Sequence, residues 1–188
     1  MENIVWVGPL AWAVLYCSDY YLTVACARLY SEQDKIKFEG SYELNPVFEA
    51  EIDALRRISP RFIAMLLVST TALFVLGMTI ESGMHDFYLF MVGALLLIQL
   101  TVHIRHFRNW LLFRHALRSD AITGHLEYRR DVVLRASAFE ILEFGVLYAF
   151  IYAFTPAGAF VLGGAFACGI TAIGQYRLAR ARKESRAM

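Results

Sequence analysis

Five stretches of roughly 20 apolar residues constrain this chain more than any other feature. They run from about Ile4 to Ala27, Phe62 to Ile80, Phe87 to Val102, Val132 to Phe154 and Ala157 to Gly174. An α-helix needs about 20 residues to cross roughly 30 Å of hydrocarbon, and backbone groups in lipid must be satisfied within their own segment. The stretches are therefore read as membrane-spanning helices. The expected fold is all-α: a polytopic membrane protein with a bundle of five transmembrane helices, in one domain. With 58% hydrophobic and 19% charged residues, the composition departs from the average soluble domain in the same direction. A net charge of +1 supplies no bulk reason to expect nucleic acid.

The basic residues orient the spans. All 18 Lys and Arg lie between the first and second spans, around the connection from third to fourth, or after the fifth, while Glu2, Glu81 and Asp86 mark the other side. The positive-inside rule then places the N-terminus outside and the C-terminus in the cytoplasm, in the plasma membrane. Met1-Glu2-Asn3 lacks the basic start of a cleavable signal, so the first span is expected to be retained. Cys17, Cys26 and Cys168 are dispersed within spans and read as small core residues, not as a disulfide framework or a zinc ribbon.

Two cytoplasmic connections carry helical patterns. Asn45-Pro46 resembles a helix start, with Asn at the N-cap and Pro at N1. Val47, Phe48, Ile52, Leu55 and Ile58 follow at helical spacing, with Glu49, Glu51, Asp53, Arg56 and Arg57 on the other face. This predicts an amphipathic surface helix from 46 to 58. A second, basic-aromatic helix from 105 to 118 is expected to continue the third span, its Arg105, Arg108 and Arg114 suited to anionic lipid. Asp120 to Gly124 supplies the turn that follows.

The fifth span is rich in small residues. Gly163/Ala167 and Ala165/Gly169 fit the small-xxx-small pattern, and with Gly174 they could pack against a helix of the same chain or of a second copy. An odd number of spans and the lack of a long repeat argue against a simple inverted-repeat transporter.

Ionisable groups inside spans are functional candidates because burying a charge there costs at least about 2.5–3.5 kcal/mol. Asp19, Glu140 and Glu143 are the acids so placed. Counted from Arg28 and Arg135 at 1.5 Å per residue, they lie about 13, 7 and 12 Å along their helices, all in the cytoplasmic half. Gln99, His103 and His106 form a stripe on the third span, Cys168, Thr171 and Gln175 one on the fifth, and Tyr16, Asp19, Thr23 and Cys26 one on the first. The blander readings are that span hydroxyls such as Ser69, Thr70 and Thr71 bond their own helix, that the histidines anchor at the interface, and that Asp19 pairs with an arginine. Glu140 and Glu143, one turn apart, repel unless a proton or cation is shared.

These residues predict a pocket for an ion or substrate built from Asp19, Thr23, Glu43, Gln99, Glu140 and Glu143. His103, His106, Glu140 and Glu143 could alternatively ligate a divalent metal ion, the one cofactor the residues suggest. No Gly-rich phosphate loop or nucleophile elbow occurs. Three functions follow: a small oligomeric channel or transporter for a cation or proton, a membrane-embedded metal-dependent enzyme acting on a lipid or lipid-linked substrate, or a non-catalytic subunit docked through the glycine face.

Asp19-Tyr20-Tyr21-Leu22-Thr23 followed by Gly40-Ser41-Tyr42-Glu43-Leu44-Asn45-Pro46 resembles a pattern, D-x-x-x-T then G-x-x-E-x-N-P, of a family of small, uncharacterised prokaryotic multi-pass membrane proteins. The intervening loop is longer here. The resemblance covers 19–46 and brings no known activity; it implies that Asp19 and Glu43 work together.

Overall fold

The computed structural model describes residues 2–79, 84–118, 123–156 and 158–187. It contains helices α1 (Glu2–Glu32), α2 (Glu49–Asp53), α3 (Pro60–Thr79), α4 (His85–Arg118), α5 (Arg130–Phe154) and α6 (Gly158–Ala187), with strands β1 (Ile36–Phe38) and β2 (Leu126–Tyr128). Five of these helices, all but α2, are long and apolar enough to cross a membrane. The chain is thus a multi-pass, all-α membrane protein. Glu81, most of the turn expected at 120–124, and the margins of two spans at Ile80 and Ala157 lie outside the described residues.

The outward surface explains itself in lipid. Leu10, Val14, Val68, Val146, Phe150, Phe154 and Phe166 are each at least 55% exposed, which in water would mark an aggregating patch. Facing hydrocarbon, such residues need no cover. Polar backbone is satisfied within each helix, so what fixes the neighbours is close packing and a few interhelical hydrogen bonds.

That packing arranges the long helices in the order α3, α1, α4, α6, α5, and α4 reaches α5 through side chains such as Thr101 to Tyr148 at 3.3 Å. Glycines decide the α4–α6 contact. A Cβ at Gly93 would overlap the Phe160 carbonyl oxygen, and one at Gly163 would overlap that of Phe90. The small-residue face of α6 is therefore used inside the chain, while Gly169 and Gly174 face open space. On the other flank the indole of Trp12 donates to Ser69 Oγ at 2.7 Å, joining α1 to α3.

At the basic end of the bundle, where α1, α4 and α6 finish, the connections are built rather than loose. Residues 36–38 and 126–128 pair as a parallel two-stranded ladder with Ile36 opposite Leu126, a feature that three-residue segments do not announce in sequence. Gly40, at φ 83, turns the chain out of β1. The amphipathic helix expected from 46 to 58 is shorter: Asn45 Oδ1 accepts from Val47 N at 3.0 Å, a turn follows, and only Glu49–Asp53 is helical. Leu55, at φ 51, ends it. Glu51, expected on the polar face, is buried and pairs with Arg61 at 3.4 Å. The helix expected from 105 to 118 is present as the unbroken continuation of α4. An aromatic core locks this end together, with Phe62 stacked on Tyr20 at 4.2 Å and Tyr30 stacked on Phe38 at 5.3 Å.

Candidate functional site

A cavity of about 450 Å³ opens at the basic end between α1, α4, α6 and the segment 43–48. Helix α1 contributes Asp19 and Thr23, α4 contributes Gln99, Arg105 and His106, α6 contributes Thr171 and Gln175, and the connection contributes Glu43. Their convergence follows from the helix order, since α4 is packed between α1 and α6.

Asp19 is the centre of the polar lining. Its Oδ1 lies 3.9 Å from His103 Nδ1 and 4.0 Å from His106 Nε2, beyond hydrogen-bond distance in both cases. Asp19 Oδ1, Gln99 Nε2, His103 Nδ1 and Gln175 Oε1 are buried and make no hydrogen bond among the described residues. Buried polar atoms are ordinarily bonded, so each of these is open to a further partner such as a water, an ion or a proton. The hydroxyls, in contrast, are already occupied. Thr23 Oγ1 donates to the Asp19 carbonyl and Thr171 Oγ1 to that of Ala167, each at 2.8 Å.

Glu43 is held by its surroundings. Its Oε1 accepts from Asn45 N at 2.7 Å, and its own N donates to Ser41 Oγ at 3.0 Å. Beneath it the buried Arg130 donates to the Ser41 carbonyl and, at 2.6 Å, to the Glu43 carbonyl. Burial pushes the Glu43 carboxyl above the ordinary glutamate range; the Asn45 amide and the Arg105 and Arg130 guanidinium groups pull partly against it.

Glu140 and Glu143 stand apart from this cavity. Helix α5 packs mainly on α6; Glu140 reaches across to Arg108 of α4 at 2.6 Å, and Glu143 is exposed. The three acids of the spans therefore do not share one chamber; the acid beside Asp19 is Glu43. Likewise His103 and His106 face Asp19 on α1, not the two glutamates. Among the described residues no group of three or more His, Cys, Asp and Glu is arranged to hold a metal ion. Of the basic residues expected to meet lipid, Arg105 donates to Ser137 Oγ, Arg108 is the partner of Glu140, and Arg114 lies over the Trp110 ring at 5.0 Å.

A second cavity of about 230 Å³ lies where α4 and α5 diverge, with Tyr42, Arg108, Asn109 and Glu140 in its wall. The two cavities share Glu43, Leu44, Arg105 and His106. Tyr42 Oη is 3.1 Å from His106 Nδ1, and Cys26 Sγ donates to the His106 carbonyl at 3.2 Å. Tyr42, Asn109 and Arg130 escaped sequence reasoning. A tyrosine in a loop, and an arginine in a basic segment, carry no periodic signal that marks them as buried.

No protein-family model, curated protein or solved structure matches the chain.

Proposed function

We propose that this membrane protein handles protons or small cations as a channel or transporter, with Asp19 as the group that loads and unloads. One observation carries the reading: a carboxylate oxygen without a hydrogen bond faces a large cavity, flanked by two imidazole nitrogens at 3.9 and 4.0 Å. Carboxylates and histidines placed together inside spans are the usual material of proton and ion paths. Gln99, beside Asp19, and Gln175, whose amide oxygen has no hydrogen bond among the described residues, add polar groups to the same space, which suits a guest that is hydrated or protonic. The clustering of Lys and Arg at the cavity's end supports a cytoplasmic opening in the plasma membrane. Glu43 and Asp19 line the same cavity, in keeping with a joint role.

The test is flux. Protein reconstituted in liposomes with an internal pH dye, under an imposed K⁺ diffusion potential, should acidify or alkalinise faster than empty vesicles. Asp19→Asn keeps the shape and removes the exchangeable charge; a positioned proton-transfer group contributes about 100-fold or more, so flux should fall by that order. Cation dependence is read in the same vesicles by exchanging Na⁺ for choline. Wild-type flux equal to that of empty liposomes, or full flux in Asp19→Asn, overturns the reading.

A further inference from the structure

The wall between the two cavities contains a chain of hydrogen bonds whose direction can be worked out from its end. Arg108 has only donors, because a guanidinium keeps its proton under all ordinary conditions. Its Nη2 donates to Asn109 Oδ1 at 3.4 Å, which orients the amide and leaves Nδ2 to face Tyr42 Oη at 3.5 Å. An amide nitrogen has hydrogens and no lone pair to offer, so Tyr42 Oη accepts from it. The one phenolic hydrogen then has two acceptors in reach, the Cys26 sulfur, a weak one, and His106 Nδ1 at 3.1 Å, and the imidazole nitrogen is the stronger. A neutral imidazole that accepts at Nδ1 carries its proton on Nε2. That nitrogen is the one facing Asp19 Oδ1 at 4.0 Å.

We infer that Tyr42 and Asn109 fix His106 as the Nε2–H tautomer, which turns its N–H toward Asp19, 4.0 Å away, and denies a proton relay through the imidazole between the cavities. With Nδ1 already receiving the phenol hydrogen, His106 has no free lone pair to take a proton from Asp19. A proton on Asp19 therefore does not pass through His106 to the side of Arg108 and Glu140, and the larger cavity, lined by Gln99 and Gln175, is its exit. Tyr42 suits the task because burial holds its phenol far above its ordinary value, so its hydrogen is not surrendered. The groups around His106 are Asp19 from α1, Tyr42 and Glu43 from the connection, and His103 and Arg105 from α4 itself; of these Tyr42 alone bonds to an imidazole nitrogen of His106 among the described residues. Tyr42 and Asn109 are thus positioning residues. The role given to the wall rests on the proton reading of Asp19, whereas the tautomer does not.

Magic-angle-spinning NMR of the full chain in liposomes, labelled with ¹⁵N-histidine, reads the tautomer directly, with His106 assigned by the signal lost in His106→Gln. At neutral pH the wild type should show a proton on Nε2 and none on Nδ1. Tyr42→Phe, which keeps the ring and removes the donor, should lose this single state and give a tautomer mixture. Asn109→Leu should do so partially. A proton on Nδ1 in the wild type, or an unchanged tautomer in Tyr42→Phe, overturns the inference. If Tyr42→Phe does not fold, the wild-type spectrum alone decides. Flux separates the two proposals: the expected tautomer in a protein without proton flux would sink the transport reading and leave this one standing.

Discussion

Asp19 shows what a single residue's surroundings add to its chemistry. An aspartate in an apolar span can be silenced by a direct ion pair with an arginine; here its near neighbours are instead two imidazole nitrogens at 3.9 and 4.0 Å. Glu43 is the second residue with a consequence that can be measured. Its carboxyl is raised by burial above the ordinary value of 4.5, so the folded protein holds that proton more tightly than the unfolded chain does. The stabilising contribution is complete below about pH 4.5 and is lost as pH rises through the higher folded value. Glu43→Gln keeps an acceptor for Asn45 N and cannot ionise. Thermal unfolding in detergent should therefore show the variant gaining on the wild type as pH climbs above the ordinary glutamate range. Equal melting at every pH would remove Glu43 from the set of perturbed groups.

At the scale of the helix, small residues settle which partners are possible. Gly93 and Gly163 allow α4 and α6 to approach until backbone carbonyls fill the space a Cβ would need. Gly163→Leu should accordingly unfold the chain itself, costing at least about 1–3 kcal/mol as an overpacked contact, and not merely separate copies. Gly169→Leu, where nothing lies within 4 Å of an added Cβ, should fold normally. Steric trapping or SDS titration compares the two; a stable monomer of Gly163→Leu would contradict this packing. The same α4–α6 contact, together with α5 leaning on α6, accounts for Glu140 and Glu143 lying away from the histidines. Polar groups at matched depth on spans that follow one another in sequence need not meet when both backbones pack mainly on a third helix.

Across the whole molecule, the basic end is closed by a contact between segments far apart in the chain. Leu126 N donates to the Lys35 carbonyl and Glu39 N to that of Tyr128, both at 2.8 Å, so the two long connections are tied together beside the smaller cavity, whose wall includes Ile36, Phe38 and Tyr128. Leu126→Pro deletes the first donor and should cost about 1 kcal/mol, with faster tryptic cleavage at Lys35 and Arg129 in proteoliposomes. An unchanged digestion rate would show that the ladder does not hold the connections. The five spans and the continuation of α4 to Arg118 were legible in the order of residues, because hydrocarbon thickness and backbone hydrogen bonding act on each segment separately. Asp19 and Glu43 were also visible, one as an acid in an apolar run, the other beside a helix start. Which helices adjoin was not legible: lipid and protein interior are equally apolar, so periodicity cannot tell a buried face from a lipid-facing one. The imidazoles around Asp19, the tyrosine behind His106 and the arginine beneath Glu43 join residues tens of positions apart, and only close packing in three dimensions decided them.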